Sequence, residues 1–202
     1  NRDVQRIIDT PKYREIFPKT FLNGSNVVTM ANTYLRNSDV IEMVGHKGLL
    51  RVVGRGGALT SKTVDVMIMD DVYKDYSEGN SPIVRNAAWK WYTTVVKKRL
   101  HNKSQELIVF TRWHEEDLIG KIEKGGEKII DIKSWDSIKN IPDGAWVRIN
   151  FEALKTGEPN EIDPREPGAA LWENMHSRVK LERERALDPI QFQCLDQGNP
   201  GS

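Results

Sequence analysis

Residues 56 to 71 read GGALTSKTVDVMIMDD, and the fold turns on how this stretch divides. Gly56, Lys62 and Thr63 stand at the spacing of a phosphate-binding loop, G-x-x-x-x-G-K-[ST], with Ser61 where the second glycine belongs. Such a loop works by joining a strand to the N-terminus of a helix, so that backbone N–H groups and the helix dipole converge on the phosphates. Here a strand pattern follows Thr63 instead, and Asp70 stands too close to leave room for a crossover helix. GGALTSKT is therefore a strand-to-strand loop and not a phosphate cradle. VDVMIMD (64 to 70) has the near-continuous apolar character of a central strand covered on both faces, as in a parallel sheet.

The second half of the stretch carries chemistry. Val66 to Met69 ending in Asp70-Asp71 has the shape of a Walker B strand, which presents carboxylates at the C-terminal edge of a sheet, where ligands of open α/β folds bind. Two adjacent carboxylates are costly to desolvate together unless a cation compensates them, and Mg²⁺ favours one or two carboxylates plus phosphate oxygens. The plainer alternative is a strand end whose aspartates cap the next turn. The next strand weighs against it. QELIVFT (105 to 111) leads into Thr111-Arg112-Trp113, after a helix expected over SPIVRNAAWKWYTTVVKKRL (81 to 100), with Ser81 as N-cap, Pro82 at N1 and Val84, Ala88, Trp91, Val95 and Leu100 at helical spacing. A hydroxyl and a guanidinium thus reach the same edge as the acids, where they could sense a γ-phosphate and pass its loss to the helix expected over EEDLIGKIEK (115 to 124).

Strand, helix, strand, helix is the rhythm of an α/β layer sheet. Around it we expect an opening helix in NRDVQRIIDT with Val4, Ile7 and Ile8 on one face, and strands in SNVVTMAN (25 to 32), GLLRVV (48 to 53), KIIDIKSW (128 to 135) and AWVRINFEAL (145 to 154). TGEPNEIDPREPG (156 to 168) reads as a loop and SRVKLERERAL (177 to 187) as a final helix. A boundary near residue 150 divides a main body, 1–150, from a closing segment, 151–202.

Composition narrows the function classes. With 38% hydrophobic and 29% charged residues the chain is ordinary globular material, and no apolar run nears the roughly 20 residues that cross a bilayer, so no membrane role is expected. The lone Cys194 and the absence of a signal-peptide pattern point to a reducing, cytoplasmic compartment. A net charge of +1 gives no global basic field, and KKRLHNK (97 to 103) reads as a solvated helix end. His114-Glu115 would need a second histidine at 118 to form a metalloprotease motif, but Leu118 stands there. Histidines 46, 101, 114 and 176 show no zinc-ligand spacing with Cys194, and most of the Trp residues (89, 91, 113, 135, 146 and 172) read as core or helix-face positions rather than base-stacking ones.

Three stretches, GRGGALTSKTVDVMIMDDVYKD, FTRWHEEDLIGKI and ALWENMHSRVKLERERALDPIQFQCLDQGNP, resemble the large terminase subunit of tailed phages, the ATP-driven motor that packages DNA. The resemblance spans most of the chain from about Arg51 onward. It implies a P-loop-NTPase-like fold of the ASCE type, a mostly parallel sheet flanked by helices, incomplete at its N-terminus and followed by a linking segment. In that family Asp70 would be the Mg²⁺ partner, Asp71 the base that orients the attacking water, and Thr111 the coupling residue that links hydrolysis to movement. Arg112 beside it would contact the nucleotide, and Arg55 resembles a loop arginine proposed to act as a finger. The base is often glutamate, so Asp71 departs from the pattern. The cofactors implied are ATP and Mg²⁺. The implied partners are double-stranded DNA, a portal protein and a small terminase subunit, with the chain in a ring, in the cytoplasm of a bacterium whose phage or prophage encodes it. The family's P-loop lies upstream of the segment matching NRDVQRIIDTPKYREIFP and its nuclease domain beyond QGNP, so the chain reads as the interior of a longer protein, unable to turn over ATP efficiently alone. Two rivals remain: a helicase-like ATPase with the same acid pair and threonine-bearing strand, and a non-catalytic interaction module of the same fold.

Overall fold

The computed structural model describes residues 2–22, 34–57, 59 and 63–201. Their contacts divide the chain into two compact units, Asn1–Leu59 and Thr60–Ser202. The strand expected at 25 to 32 lies outside the described residues, as does Lys62.

In the first unit, helix α1 (Arg2–Ile8) is followed by α2 (Pro11–Ile16), which begins as its sequence dictates. The Thr10 side chain accepts from the Tyr13 N–H, and Pro11 fills a first-turn position whose own N–H would have no partner. Strands β1 (Val40–Glu42) and β2 (Leu49–Arg51) form an antiparallel pair, β2 being shorter than its sequence suggests. Ile8, Leu22 and Ile41 are the buried cluster, with Tyr13 and Met43 packed against it. Ile8 is the one residue of α1 that is buried. Val4 and Ile7, expected on the same face, lie exposed.

The second unit carries the strand that opened the reading. Strand β3 (Val64–Asp70) runs parallel to β4 (Leu100–Val109), and α3 (Tyr76–Asn80) and α4 (Pro82–Trp91) lie between them in sequence. After β4 come α5 (Leu118–Lys124), a parallel pair β5 (Ile129–Asp131) and β6 (Trp146–Arg148), then α6 (Arg178–Leu187) and α7 (Pro189–Leu195). The architecture is mixed α/β: among the described residues the strands pair as three two-stranded sheets, one antiparallel and two parallel, flanked by helices.

The pleat decides what β3 and β4 present. Successive side chains alternate between faces, so Met67 and Met69 stand with Glu106 and Ile108 on one side, and Val66, Ile68 and Asp70 with Gln105, Leu107 and Val109 on the other. The first face meets the crossover helix, where the Tyr92 hydroxyl donates to Glu106 at 3.0 Å. Burial, with the Glu106 carboxylate alongside, pushes the Tyr92 phenol well above its ordinary value. The second face is open: Val66, Ile68, Leu107 and Val109 are each at least half exposed. The expectation that β3 is covered on both faces is therefore corrected. Apolar composition reports that a strand can bear a second layer, not that one is present.

Helix α4 shows a second departure. Its Ser81 cap and Pro82 start are as expected, but it continues as a π-helical turn (Tyr92–Val96) and a 3₁₀ turn (Lys97–Arg99), and Leu100 already belongs to β4. The buried line is Arg85, Ala88, Tyr92 and Val96; of the expected line through Val84, Ala88, Trp91, Val95 and Leu100, only Ala88 lies on it. Apolarity misplaced the face because one of its members is a charged side chain with its own partners. KIIDIKSW and AWVRINFEAL likewise pair over three residues each, and Trp135–Asn140 forms a 3₁₀ helix.

Residues 151 to 201 gather on a small core of Leu154, Ala170, Leu181 and Phe192. Gln197 acts there as a strand would: its side chain accepts from the Leu154 N–H at 2.9 Å and donates to the Leu154 carbonyl at 2.8 Å. The acid- and proline-rich loop is held by Asp163, which takes two bonds from Arg165, at 2.8 and 2.7 Å, and pairs with Lys155 at 3.3 Å. Arg165 above all holds the Asp163 carboxyl down at about 2, against an ordinary 3.8. A depressed carboxyl stabilises the folded state above its unfolded value and loses that contribution as pH falls towards the folded one. Asp163→Asn should therefore lower stability in urea unfolding by the same amount at pH 7 and pH 5, and by progressively less from pH 4 downward. A deficit independent of pH would show that the charge of Asp163 is not what holds the loop.

Candidate functional site

The site is built where β3 and β4 end side by side. Strand pairing runs to Asp70 opposite Val109, and the Asp71 N–H continues the ladder to the Val109 carbonyl at 3.2 Å. The chain then turns sharply: Asp71 has φ +42°, the left-handed region, and is the only residue other than glycine to do so among the described ones. That conformation costs about 1–3 kcal/mol for a residue with a Cβ, and it is tolerated where the surroundings fix it. One such fixing contact is the Thr111 hydroxyl, which donates to Asp71 Oδ1 across the strand ends at 3.4 Å. Asp70 lies one residue earlier, exposed, on the open face of the sheet.

Arg112 is placed differently. Its guanidinium is buried and its Nε donates to both carboxylate oxygens of Asp117, at 3.2 and 2.8 Å. Asp117 is wholly inaccessible and caps α5, accepting from the Gly120 N–H at 2.9 Å and from the Trp113 N–H at 3.3 Å. Beyond the pair, Arg112 faces Glu123 at 3.7 Å, Glu123 binds Arg148 at 2.6 Å, and Arg148 clasps Asp131 with bonds of 2.6 and 2.8 Å, holding that carboxyl below its ordinary value. Arg55 belongs to the first unit, in the turn before Gly56, whereas Asp70, Asp71, Thr111 and Arg112 belong to the second. The structure thus brings Asp71 and Thr111 together and turns Arg112 to a protein carboxylate.

Two further features hold the loop from 111 to 117. Trp113 lies against Gly79 of α3 so closely that a Cβ there would stand 2.4 Å from the Trp113 Cβ. Arg85, buried on α4, donates to the Gly79 carbonyl at 3.0 Å and lies 3.6 Å from Glu116. Sequence reasoning passed over Asp117, Gly79 and Arg85. Asp117 had a visible signal, an acid at the start of an expected helix; Gly79 and Arg85 had none, because only the packing reveals them.

The carboxylates of Asp70 and Asp71 and the hydroxyl of Thr111 are hard oxygen donors of the kind Mg²⁺ takes. Among the described residues no group of three or more His, Cys, Asp or Glu is arranged to hold a metal. Comparison of the chain with protein-family models, curated proteins and solved structures gave no match. Among the described residues no helix is long and apolar enough to cross a membrane.

Removing one member of a buried ion pair leaves the other charged and unpaired, typically at about 3–5 kcal/mol. Asp117→Ala should therefore destabilise the chain by that order in urea unfolding, and Gly79→Ala by about 1–3 kcal/mol through overpacking against Trp113. Asp117→Ala within about 0.5 kcal/mol of wild type, the range of an ordinary surface change, would show that the pair does not hold the loop.

Proposed function

We propose that this chain is the ATPase part of a large terminase subunit, a motor that couples ATP hydrolysis to translocation of double-stranded DNA into a phage head. The observation that carries the reading is the meeting of Asp71, at a strained turn ending a parallel strand, with Thr111 at the end of the next parallel strand. On this reading the fold is of the P-loop-NTPase type, residues 1–150 contribute to its core and 151–202 link it onward. Asp70 would hold Mg²⁺, which supplies neutralisation of the phosphate charge when bound. Thr111 donates to Oδ1 of Asp71 and so leaves Oδ2 to orient a water and accept its proton. Arg112 serves the site through its neighbour, fixing the backbone that carries Thr111. Arg55 is proposed as the arginine that approaches a phosphate. The implied partners are the portal, a small terminase subunit and further copies of the chain in a ring, within the bacterial cytoplasm.

A non-catalytic interaction module is the second reading, and the engagement of Arg112 by Asp117 favours it, since that guanidinium is already taken. Turnover separates the two. Mg²⁺-dependent ATP hydrolysis by the native protein should rise on adding double-stranded DNA and fall by about 10²-fold or more in Asp71→Asn, the scale of a lost general base. Hydrolysis indifferent to DNA would favour a helicase-like ATPase, and no hydrolysis by the wild type would favour the non-catalytic module.

A further inference from the structure

The net charge of +1 is the balance of two unlike parts. The first unit, Asn1–Leu59, holds nine Lys and Arg against five Asp and Glu, and the second holds 21 against 24. Asymmetry of this kind points to a polyanion on the basic part. Three of those nine cations line one open cleft. Arg2, Gln5 and Arg6 share a face of α1, at i, i+3 and i+4, and meet Arg36, Asn37 and Ser38 of the turn before β1 around a cavity of about 480 Å³. The lining is three guanidiniums, two carboxamides and a hydroxyl, with no carboxylate and no apolar side chain.

The cleft is already formed. Gln5 Nε2 donates to the Asn37 carbonyl at 2.7 Å and Gln5 Oε1 accepts from Arg36 Nε at 3.1 Å, so one side chain ties the two walls. Arg36 is also held by Asp9, and the turn is closed by Asn37 Oδ1, which accepts from the Asp39 and Val40 N–H groups at 2.8 Å each. Asp39, next to the lining, is engaged by the Ser38 hydroxyl at 2.9 Å. The remaining guanidiniums are at hand. Arg6 pairs with Asp3 at 2.9 Å, but the two side chains are 77% and 85% exposed, and so solvated a pair exchanges for another anion at little cost. Arg2, exposed at the start of α1, has no partner among the described residues.

Guanidiniums in a group suit phosphate oxygens, which they meet with paired N–H donors. The rest of the lining decides which phosphate. A mononucleotide needs a wall for its base, and pockets for small molecules are predominantly apolar; this cleft offers its base no such wall. A polynucleotide laid along the cleft presents phosphates alone and keeps its bases elsewhere. We propose that the cleft between α1 and the 36–38 turn binds the phosphodiester backbone of a nucleic acid through Arg2, Arg6 and Arg36, without reading its sequence. The cleft belongs to the first unit and the Asp71–Thr111 edge to the second, so this site does not rest on the nucleotide reading of that edge.

The test is fluorescence anisotropy of labelled DNA duplexes of two unrelated sequences, titrated with the native protein over a range of salt, without ATP or Mg²⁺. Both sequences are expected to bind alike, with log K falling linearly in log salt. Each phosphate contact contributes about 0.9 to that slope, so Arg2→Gln and Arg6→Gln should each weaken binding several-fold and lower the slope by about 1, and the double variant by about 2. Lys12→Gln removes an exposed cation of α2 that is not part of the cleft, and should keep the wild-type slope. All three side chains stand in solvent, so the variants keep the fold. A wild type that does not bind, or wild-type affinity and slope in Arg2→Gln and Arg6→Gln, overturns the inference. An equal loss in Lys12→Gln overturns it too, because the unit's overall charge would then account for binding. Displacement of the duplex by ATP or inorganic phosphate at equal phosphate concentration overturns the assignment to a polymer. Failure of ATP hydrolysis leaves these titrations unaffected, so the two readings fall separately.

Discussion

The ion pair between Arg112 and Asp117 fixes the loop that joins β4 to α5 in the second unit. Asp117 is wholly buried, and an isolated carboxylate there would be expensive; three donors converge on it, the Arg112 Nε–H and the Trp113 and Gly120 N–H groups. Because those donors lie before, within and after a single loop, satisfying one charge sets the loop's shape. It also sets where β4 hands over to α5. The charges continue outward through Glu123 and Arg148 to Asp131, so the β5 and β6 pair is tied to the same centre. Such a network contributes little stability relative to an apolar core of equal volume; it does restrict the number of ways the segment can pack.

What the pair positions is a strand end. Strands β3 and β4 are a two-stranded parallel sheet with one face on the crossover helix and the other open. The acids sit where the first strand leaves the sheet. Asp71 turns into the left-handed region while its N–H still pairs with β4, so its carboxylate swings towards Thr111. Asp70, one pleat earlier, stays on the open face. Adjacent acids in sequence therefore occupy different surroundings, one braced by a hydroxyl and one in solvent, and that difference suits them to different roles.

Much of this was legible in the sequence, and the parts that were not share a cause. β3 was legible because a short apolar run ending in two acids has few other ways to be placed, and the starts of α4 and α6 because Ser81 and Ser177 cap them locally, whereas α2, capped by Thr10, was not expected. The meeting of Asp71 with Thr111 followed from strand order. The buried face of α4 was misread because Arg85 occupies it, and the open face of β3 because neighbouring layers leave no mark on a strand's own composition. Helix α7 was missed although Asp188-Pro189 announces it, as an N-cap followed by proline at the first helical position. The role of Gln197 depends on Leu154, far away in sequence, and no local pattern carries it.

The account stands or falls on whether the strand-end acids engage a metal-bound nucleotide. Calorimetric titration of the native protein with ATP, with and without Mg²⁺, measured for wild type and Asp70→Asn, addresses this most directly. The expected result is Mg²⁺-dependent binding in the wild type that loses its Mg²⁺ dependence in the variant. Equal affinity and equal Mg²⁺ dependence in both proteins would contradict the account.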